Sequence, residues 1–443
     1  MTSSKRILVT GISTYWGGRL AQALEADPGV EVIIGVDSVD PTRELERTEF
    51  VRVGTQHALL RRIVDAAEID TVVDARLVVD SSTATSRLAH ENNVIGTMNI
   101  LASCSGKASS VRKLVFKSSA HFYGTAQDDP AFFTEQMGRP HAPTTPIERD
   151  ILDAEAAVAE FAEQNPDTTV TVLRCTNVLG PDVQTSHRAL FSLPVVPMIL
   201  GFDPRYQFVH EDDVVEALAH AVSEDVPGVY NVAADGVLAL SEVAGLLGKT
   251  YVPLLPPWGT GLAASVARRI GMPVPPEMLS QLRFGRGLDN RKFKATGFSY
   301  RFTTRETVAK LREHMRLDPI LRGVKEPFQY ERDVEEFLRW SPHVRRRDAA
   351  ADEGTEHRQE ATVVEVRVPV VAAEPAPVEE EPVAPPVEHY DDLEAEEIIS
   401  LLGSLELDDL SALRDYEAGA RARDSVTGAI DAVLARRAAS STP

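Results

Sequence analysis

The sequence predicts an α/β fold, a doubly wound parallel sheet with a smaller lobe attached, and three observations carry that expectation. Residues 7–37 run as a short apolar strand (Ile7–Val9), a glycine turn at Gly11, an amphipathic stretch with Gly17, Leu20 and Leu24 on one side, and a second apolar strand (Val32–Val36) ending in Asp37. Strand and helix signals go on alternating to about residue 235, the order that a parallel sheet covered by helices requires. The chain has 443 residues and is 43% hydrophobic, ample for a packed core.

Taken in order, the strand candidates are 7–10, 32–36, 50–53, 71–74, 113–117, 170–174 and 229–232. Helical periodicity covers 17–26, 57–67, 85–104, 147–164 and 212–223. From about residue 190 the pattern turns irregular and proline-rich (LPVVP, PLLPPWG, MPVPPEM), which predicts loops and short helices in a lobe spanning mainly 180–320. Helices at 303–316 and 331–339 close this first domain, residues 1–345. Residues 346–389 are Ala, Val, Pro and Glu with almost no aromatic residue. Such a segment buries too little apolar surface to offset chain entropy and is expected to be a disordered acidic linker. Periodicity returns over 390–437, with stripes at Ile398/Ile399/Leu402/Leu405, Leu410/Leu413/Tyr416 and Val426/Ile430/Val433/Leu434, a small helical module on a tether.

The net charge of −21 argues against nucleic acid or an anionic membrane as a general partner. Residues 351–400 alone hold fifteen Asp/Glu against two Arg, so much of the excess lies in the tail. Cys104 and Cys175 fall in segments that read as buried helix and strand, which points to a reducing compartment and no disulfide framework. No metal site is read. No uncharged apolar run reaches the roughly 18 residues of a membrane span; Ala189–Phe202 is too short and holds two prolines. The first strand starts within a few residues of the N-terminus and leaves no room for a signal peptide, so a cytoplasmic location is expected.

The spacing in 7–37 has a chemical reason. A glycine turn lets backbone N–H groups approach a pyrophosphate, and the helix N-terminus adds partial positive charge. Asp37, twenty residues past Gly17, sits where a carboxylate accepts hydrogen bonds from an adenosine ribose and favours NAD over NADP. This is the plan of a Rossmann-like dinucleotide-binding unit. The spacing G-x-x-G-x-x-G counted from Gly11 puts its middle position at Thr14, which carries a Cβ, followed by the bulky Tyr15 and Trp16. The other reading of the stretch is a sheet whose first turn no longer holds a nucleotide.

Further segments join the first: DTVVDARL (70–77), ENNVIGTMNIL (91–101), VFKSSAHFYG (115–124), FTE (133–135), TVLRCTNVLGP (171–181), FVHEDDVVEAL (208–218) and GVYNVAADG (228–236). In order and spacing, over about residues 5–320, they resemble the extended short-chain dehydrogenase/reductase family. Within it they are similar to the NAD-dependent epimerase/dehydratase group that acts on nucleotide sugars, actinobacterial epimerase-like proteins in particular. The resemblance implies NAD as cofactor, a nucleotide sugar as ligand, and a homodimer through the helices at 85–104 and 147–164. It also implies three residues for hydride chemistry: a Ser or Thr, here Ser119, and a Y-x-x-x-K pair in which the tyrosine is the general acid/base and the lysine lowers its pKa. Anchored on Glu155 in TPIERDILDAE, that pair falls on Ile147 and Ile151. The i, i+4 spacing is kept, but neither side chain moves a proton, and losing a general base alone costs about 10² to 10⁴ in rate. Between Gly124 and Val229 the only tyrosine is Tyr206 and there is no lysine, so a shifted register does not hide the pair.

Polar groups near these positions are the candidate replacements. Tyr123 matches a tyrosine of the family's substrate wall and is a catalytic candidate beside Ser119; His121 would titrate near neutral pH. Glu148 and Arg149 lie about 100° and 200° around the helix from Ile147 and point away from a cleft there. Arg76 stands where the family has a small residue, and either fills cofactor space or pairs with Asp37 or a phosphate. The candidate cofactor-side residues are therefore Thr10, Gly11, Thr14, Tyr15, Trp16, Gly17, Asp37 and Arg76. Asn93 matches an asparagine that kinks its helix; Arg174, Asn177 and His210–Asp213 match positions that shape the substrate side, with Asp213 expected to cap the next helix. Two functions remain: an epimerase/dehydratase-like protein with a degenerate active site that binds a dinucleotide or nucleotide sugar, and a non-catalytic regulatory or scaffold protein that meets a partner through its C-terminal helices.

Overall fold

The computed structural model describes residues 5–54, 56–81, 83–106, 109–255, 275–317, 334, 413–414 and 427–431. The chain divides into two compact units, Met1–Thr355 and Glu356–Pro443. The expected linker at 346–389 lies outside the described residues, as does the helix at 331–339 apart from Val334. In the second unit Leu413 and Ile430 are buried, and Arg414 pairs with Asp431 at 2.6 Å.

The first unit is built on seven strands: β1 (Lys5–Thr10), β2 (Val30–Asp37), β3 (Thr48–Arg52), β4 (Thr71–Asp74), β5 (Lys113–Ser119), β6 (Thr169–Cys175) and β7 (Gly228–Val232). All pair in parallel, in the order β7-β6-β5-β4-β1-β2-β3. The apolar runs in β1, β4 and β5 follow from burial on both faces, the usual state of a parallel sheet. The strand order reverses between β1 and β4, which opens a crevice at the C-terminal ends of these strands.

Helices cover both faces. Helices α1 (Tyr15–Glu25) and α5 (Glu211–Ser223) pack on one side, where Leu20, Leu24, Val214 and Leu218 join Ile7 and Val9 of the sheet. Helices α2 (His57–Ala66), α3 and α4 (Pro146–Gln164) cover the other. Helix α3 consists of Ser86–His90, a π-helical turn Glu91–Gly96, and Thr97–Cys104. The interruption has a local cause: Asn93 accepts from the Val78 N–H (2.8 Å) and donates to its carbonyl (2.7 Å), tying the helix to the chain leaving β4. Helix α4 starts where its sequence dictates. Thr145 caps it by accepting from the Glu148 N–H, and Pro146 occupies the first turn.

The lobe, drawn from residues 177–317, has its own apolar core of Leu179, Phe191, Val196, Phe208, Leu282 and Leu311. Here the structure differs from the loops and short helices expected. The proline-rich run forms a strand, Val195–Ile199, paired in parallel with Thr250–Leu255. Pro197 and Pro253 are tolerated because the pair is only two strands wide and every strand is an edge. Ser186 N–H donates to Asp80 (2.9 Å) and Ser81 to Glu277 (2.8 Å), which joins the lobe to the rim of the crevice.

Candidate functional site

The crevice starts at the turn after β1. Gly11 has φ +73°, and a Cβ there would lie 2.4 Å from Arg76 Cγ; one at Gly17 would lie 2.2 Å from the Gly11 carbonyl oxygen. Both glycines are therefore demanded by the protein's own packing. Thr14 caps α1, accepting from the Gly17 N–H (3.2 Å) while its hydroxyl donates to the Gly11 carbonyl (2.6 Å). Asp37 ends β2 and accepts from the backbone N–H groups of Ser13 (3.1 Å) and Ser38 (2.7 Å). Thr10, Asp37, Ser38, Val53, Arg76 and Asn92 line a cavity of about 90 Å³.

Arg76 corrects one expectation. It does not pair with Asp37 but folds back on Asp74, with Nε at 3.0 Å from Oδ1 and Nη2 at 3.2 Å from Oδ2. The buried Asp74 carboxylate requires a counter-charge, and a guanidinium two residues on supplies one in fork geometry. Arg76 also borders a second cavity of about 390 Å³, so it stands between the two. Ligand pockets usually hold about 300–1,000 Å³; the larger cavity falls in that range and the smaller does not.

The larger cavity is lined by Thr14, Tyr15 and Trp16 from α1, Lys117 and Ser119 from β5, His121, Cys175 and Asn177, and by His187, Gln281 and Arg286 from the lobe. Ser119 lines it, its hydroxyl accepting from the His121 N–H at 3.2 Å. Tyr123 is placed elsewhere. It is fully buried, stacks on Phe133 at 4.7 Å, donates to Asn231 (2.8 Å) and accepts from Arg174 (2.9 Å), and it does not line the cavity. His121 does not titrate near neutral pH: burial, with Arg286 beside it, pushes its imidazole down to about 3. Burial pushes His187 down to about 4. Arg286 is 4% exposed, donates to the Gly124 carbonyl (2.8 Å), and has no carboxylate paired to it among the described residues. Burial pushes its guanidinium down to about 10.

Lys117 was not among the sequence candidates. It is 2% exposed, and its Nζ lies 4.6 Å from the centre of the Trp16 ring. Burial lowers its pKa, while Cys175 beside it acts weakly the other way. The ring face favours the cation by about 0.5–2 kcal/mol, against a desolvation penalty of several kcal/mol for an unpaired ion. Desolvation wins, and the amine is held towards its neutral form. The signal was present in the sequence: a lysine set inside the apolar run Leu114–Val115–Phe116 of an interior strand.

Ile147 and Ile151 are 1% and 0% exposed and belong to the core between α3, α4 and the sheet, with Ile100 and Phe116. Each contributes about 1.5–3 kcal/mol as buried apolar surface. Behind them Arg174 and Glu155 form a buried ion pair at 2.6 Å, with Arg174 stacked on Phe122 at 3.4 Å, so Arg174 has a structural partner. Glu148 turns to Arg139 at 2.6 Å. Asp213 does not cap α5. His210 does, accepting from the Asp212 N–H at 3.2 Å, while Asp213 holds the loop at Arg301 (2.9 Å) and Phe302 (3.3 Å). Among the described residues there is no group of three or more His, Cys, Asp or Glu side chains able to hold a metal ion. No described helix is long and apolar enough to cross a membrane.

Residues 7–233 match the family described as the NAD dependent epimerase/dehydratase family. An uncharacterized protein of Mycobacterium tuberculosis (strain H37Rv) is 32% identical over 324 residues, covering 72% of this chain and 86% of that protein. UDP-glucose 4-epimerase 2 of Oryza sativa subsp. japonica is 28% identical over 193 residues, 40% of this chain and 45% of that protein. Among solved structures, dTDP-glucose 4,6-dehydratase of Bacillus anthracis in complex with NAD aligns with a TM-score of 0.53 at 20% identity, covering 70% of this chain and 96% of that one. UDP-glucuronic acid 4-epimerase of Bacillus cereus in complex with NAD aligns with a TM-score of 0.53 at 16% identity, covering 70% and 98%. The glycine turn, the strand order and these matches agree, and this chain belongs to the NAD dependent epimerase/dehydratase family.

Proposed function

We propose that this chain keeps the ligand crevice of its family but not its acid–base pair: it binds a nucleotide sugar, or a dinucleotide, and does not transfer hydride through a Tyr/Lys couple. The observation that carries this reading is the burial of Ile147 and Ile151 in an apolar core, in a chain that still holds a ligand-sized cavity lined by Ser119. Solved relatives in the same fold hold UDP-glucose or NAD, which supports a nucleotide sugar as the ligand class. Asp37 and the small cavity fit the adenosine end of NAD in outline. Arg76, held on Asp74, stands between the small cavity and the larger one, which supports NAD as the weaker ligand. A homodimer through α3 and α4 belongs to the same reading, supported by the exposed Leu88, Ile95 and Met98 on α3.

Calorimetric titration of the full chain with UDP, UDP-glucose and NAD tests this. The expected result is saturable binding of UDP-glucose, with NAD weaker by at least about tenfold, or 1.4 kcal/mol. Absence of binding by all three would refute it. The second reading, a partner role for the second unit, is supported by the buried Leu413 and Ile430 and the Arg414–Asp431 pair. It predicts that removing residues 356–443 leaves UDP-glucose binding unchanged while abolishing a protein contact.

A further inference from the structure

The two lysines of β5 differ in a way the fold does not explain. Lys113 is buried and fully engaged: its Nζ pairs with Asp225 (3.0 Å) and donates to the carbonyls of Val222 (3.1 Å) and Glu224 (2.8 Å). Lys117 is the more buried of the two, yet among the described residues its Nζ donates no hydrogen bond and meets no carboxylate. It borders the 390 Å³ cavity beside the Trp16 ring. Ser119, two residues along the same strand, borders that cavity too, as alternate residues share one face. A lysine serving the fold alone closes an ion pair, as Lys113 does; one left unpaired at the wall of a ligand-sized cavity is placed for a ligand.

We propose that Lys117 captures a carbonyl compound, an aldehyde or ketone small enough for this cavity, as an imine. The nitrogen lone pair attacks the carbonyl carbon, and the C=O π pair moves to oxygen, which takes a proton from the nitrogen. The carbinolamine then loses its hydroxyl with a second proton as water, leaving C=N. One amine and one carbonyl give one imine and one water, with no change of oxidation state. Burial without a carboxylate partner lowers the pKa of the amine and so favours the lone-pair form over what an exposed lysine holds. An anion is the less suited occupant, since burial disfavours the charged ammonium that would attract one. The inference goes beyond nucleotide-sugar binding and does not depend on it.

The test treats the full chain with propanal and sodium cyanoborohydride at neutral pH, then locates N-alkyl lysines by peptide mass mapping. Lys117 is expected to be alkylated at least about tenfold faster than the exposed Lys310, only when the reductant is present. Lys117→Arg, which keeps a long basic side chain without the nucleophile, is expected to remove that adduct and leave the others. Alkylation of Lys117 no faster than Lys310, or an adduct that survives without reductant, would overturn the proposal. The wild-type map decides the matter even where the variant fails to fold. No nucleotide takes part, so a negative result leaves the proposed ligand reading standing, and absence of UDP-glucose binding leaves this one standing.

Discussion

On the adenosine side of the crevice, Arg76 folds back onto Asp74 and covers Gly11. On the lobe side, Lys117 and Arg286 border a cavity of about 390 Å³ with no carboxylate paired to either among the described residues. The first region satisfies its own charges with its own side chains. The second leaves two buried basic groups without a carboxylate partner among the described residues. The difference shows that the glycine turn and the terminal Asp sit where the chain packs against itself, while the ligand-sized cavity lies at the wall formed by β5 and the lobe.

Three changes probe the contrast, from large effect to small. Glu155→Ala strips the counter-charge from Arg174 in the wall behind the larger cavity. Stability is expected to fall by about 3–5 kcal/mol, the usual result of leaving one member of a buried pair uncompensated; urea unfolding measures it. A loss below about 1 kcal/mol would mean that this wall is looser than its geometry.

His187 gives a pH signature. Burial holds its imidazole down at about 4 against an ordinary 6.5, so the folded state prefers it neutral. Its contribution is full above 6.5 and is lost as pH falls from there towards 4, since the unfolded chain binds the proton first. His187→Gln is expected to flatten that part of the stability profile by about 1–3 kcal/mol; equal slopes for both proteins would contradict the neutral assignment.

The smallest change sharpens the adenosine side. Replacing the pair together, Asp74→Asn with Arg76→Ala, removes the guanidinium between the cavities without leaving a bare carboxylate. NAD affinity is expected to rise about tenfold, near 1.4 kcal/mol, by calorimetry. Unchanged or weaker binding would show that Arg76 is not the obstacle.

Much of the sheet was legible because parallel strands buried on both faces read as apolar runs, and the strands expected near 7–10, 32–36, 50–53, 71–74, 113–117, 170–174 and 229–232 form the seven-stranded sheet. Register with Glu155 carried the expectation for Ile147 and Ile151, and what the structure adds is their burial in the core. The partner of Arg76 was not, because it depends on how the backbone turns after β4. Prolines hid the lobe strands, which are edges and tolerate them. Lys117 escaped because a lysine reads as a surface residue, although its place directly after the apolar run Leu114–Phe116 pointed to burial; the packing of Trp16 and Cys175 around it shows that burial. Tyr123 drew attention through its place in SSAHFYG, but its hydroxyl is committed to Asn231 and Arg174.

The central claim is that the crevice binds a nucleotide sugar without hydride transfer. The most direct measurement incubates the full chain with UDP-glucose and NAD under saturating conditions and follows the sugar by proton NMR and NADH by absorbance. The account predicts unchanged UDP-glucose and no NADH; NAD-dependent appearance of an epimerised, oxidised or dehydrated sugar would contradict it.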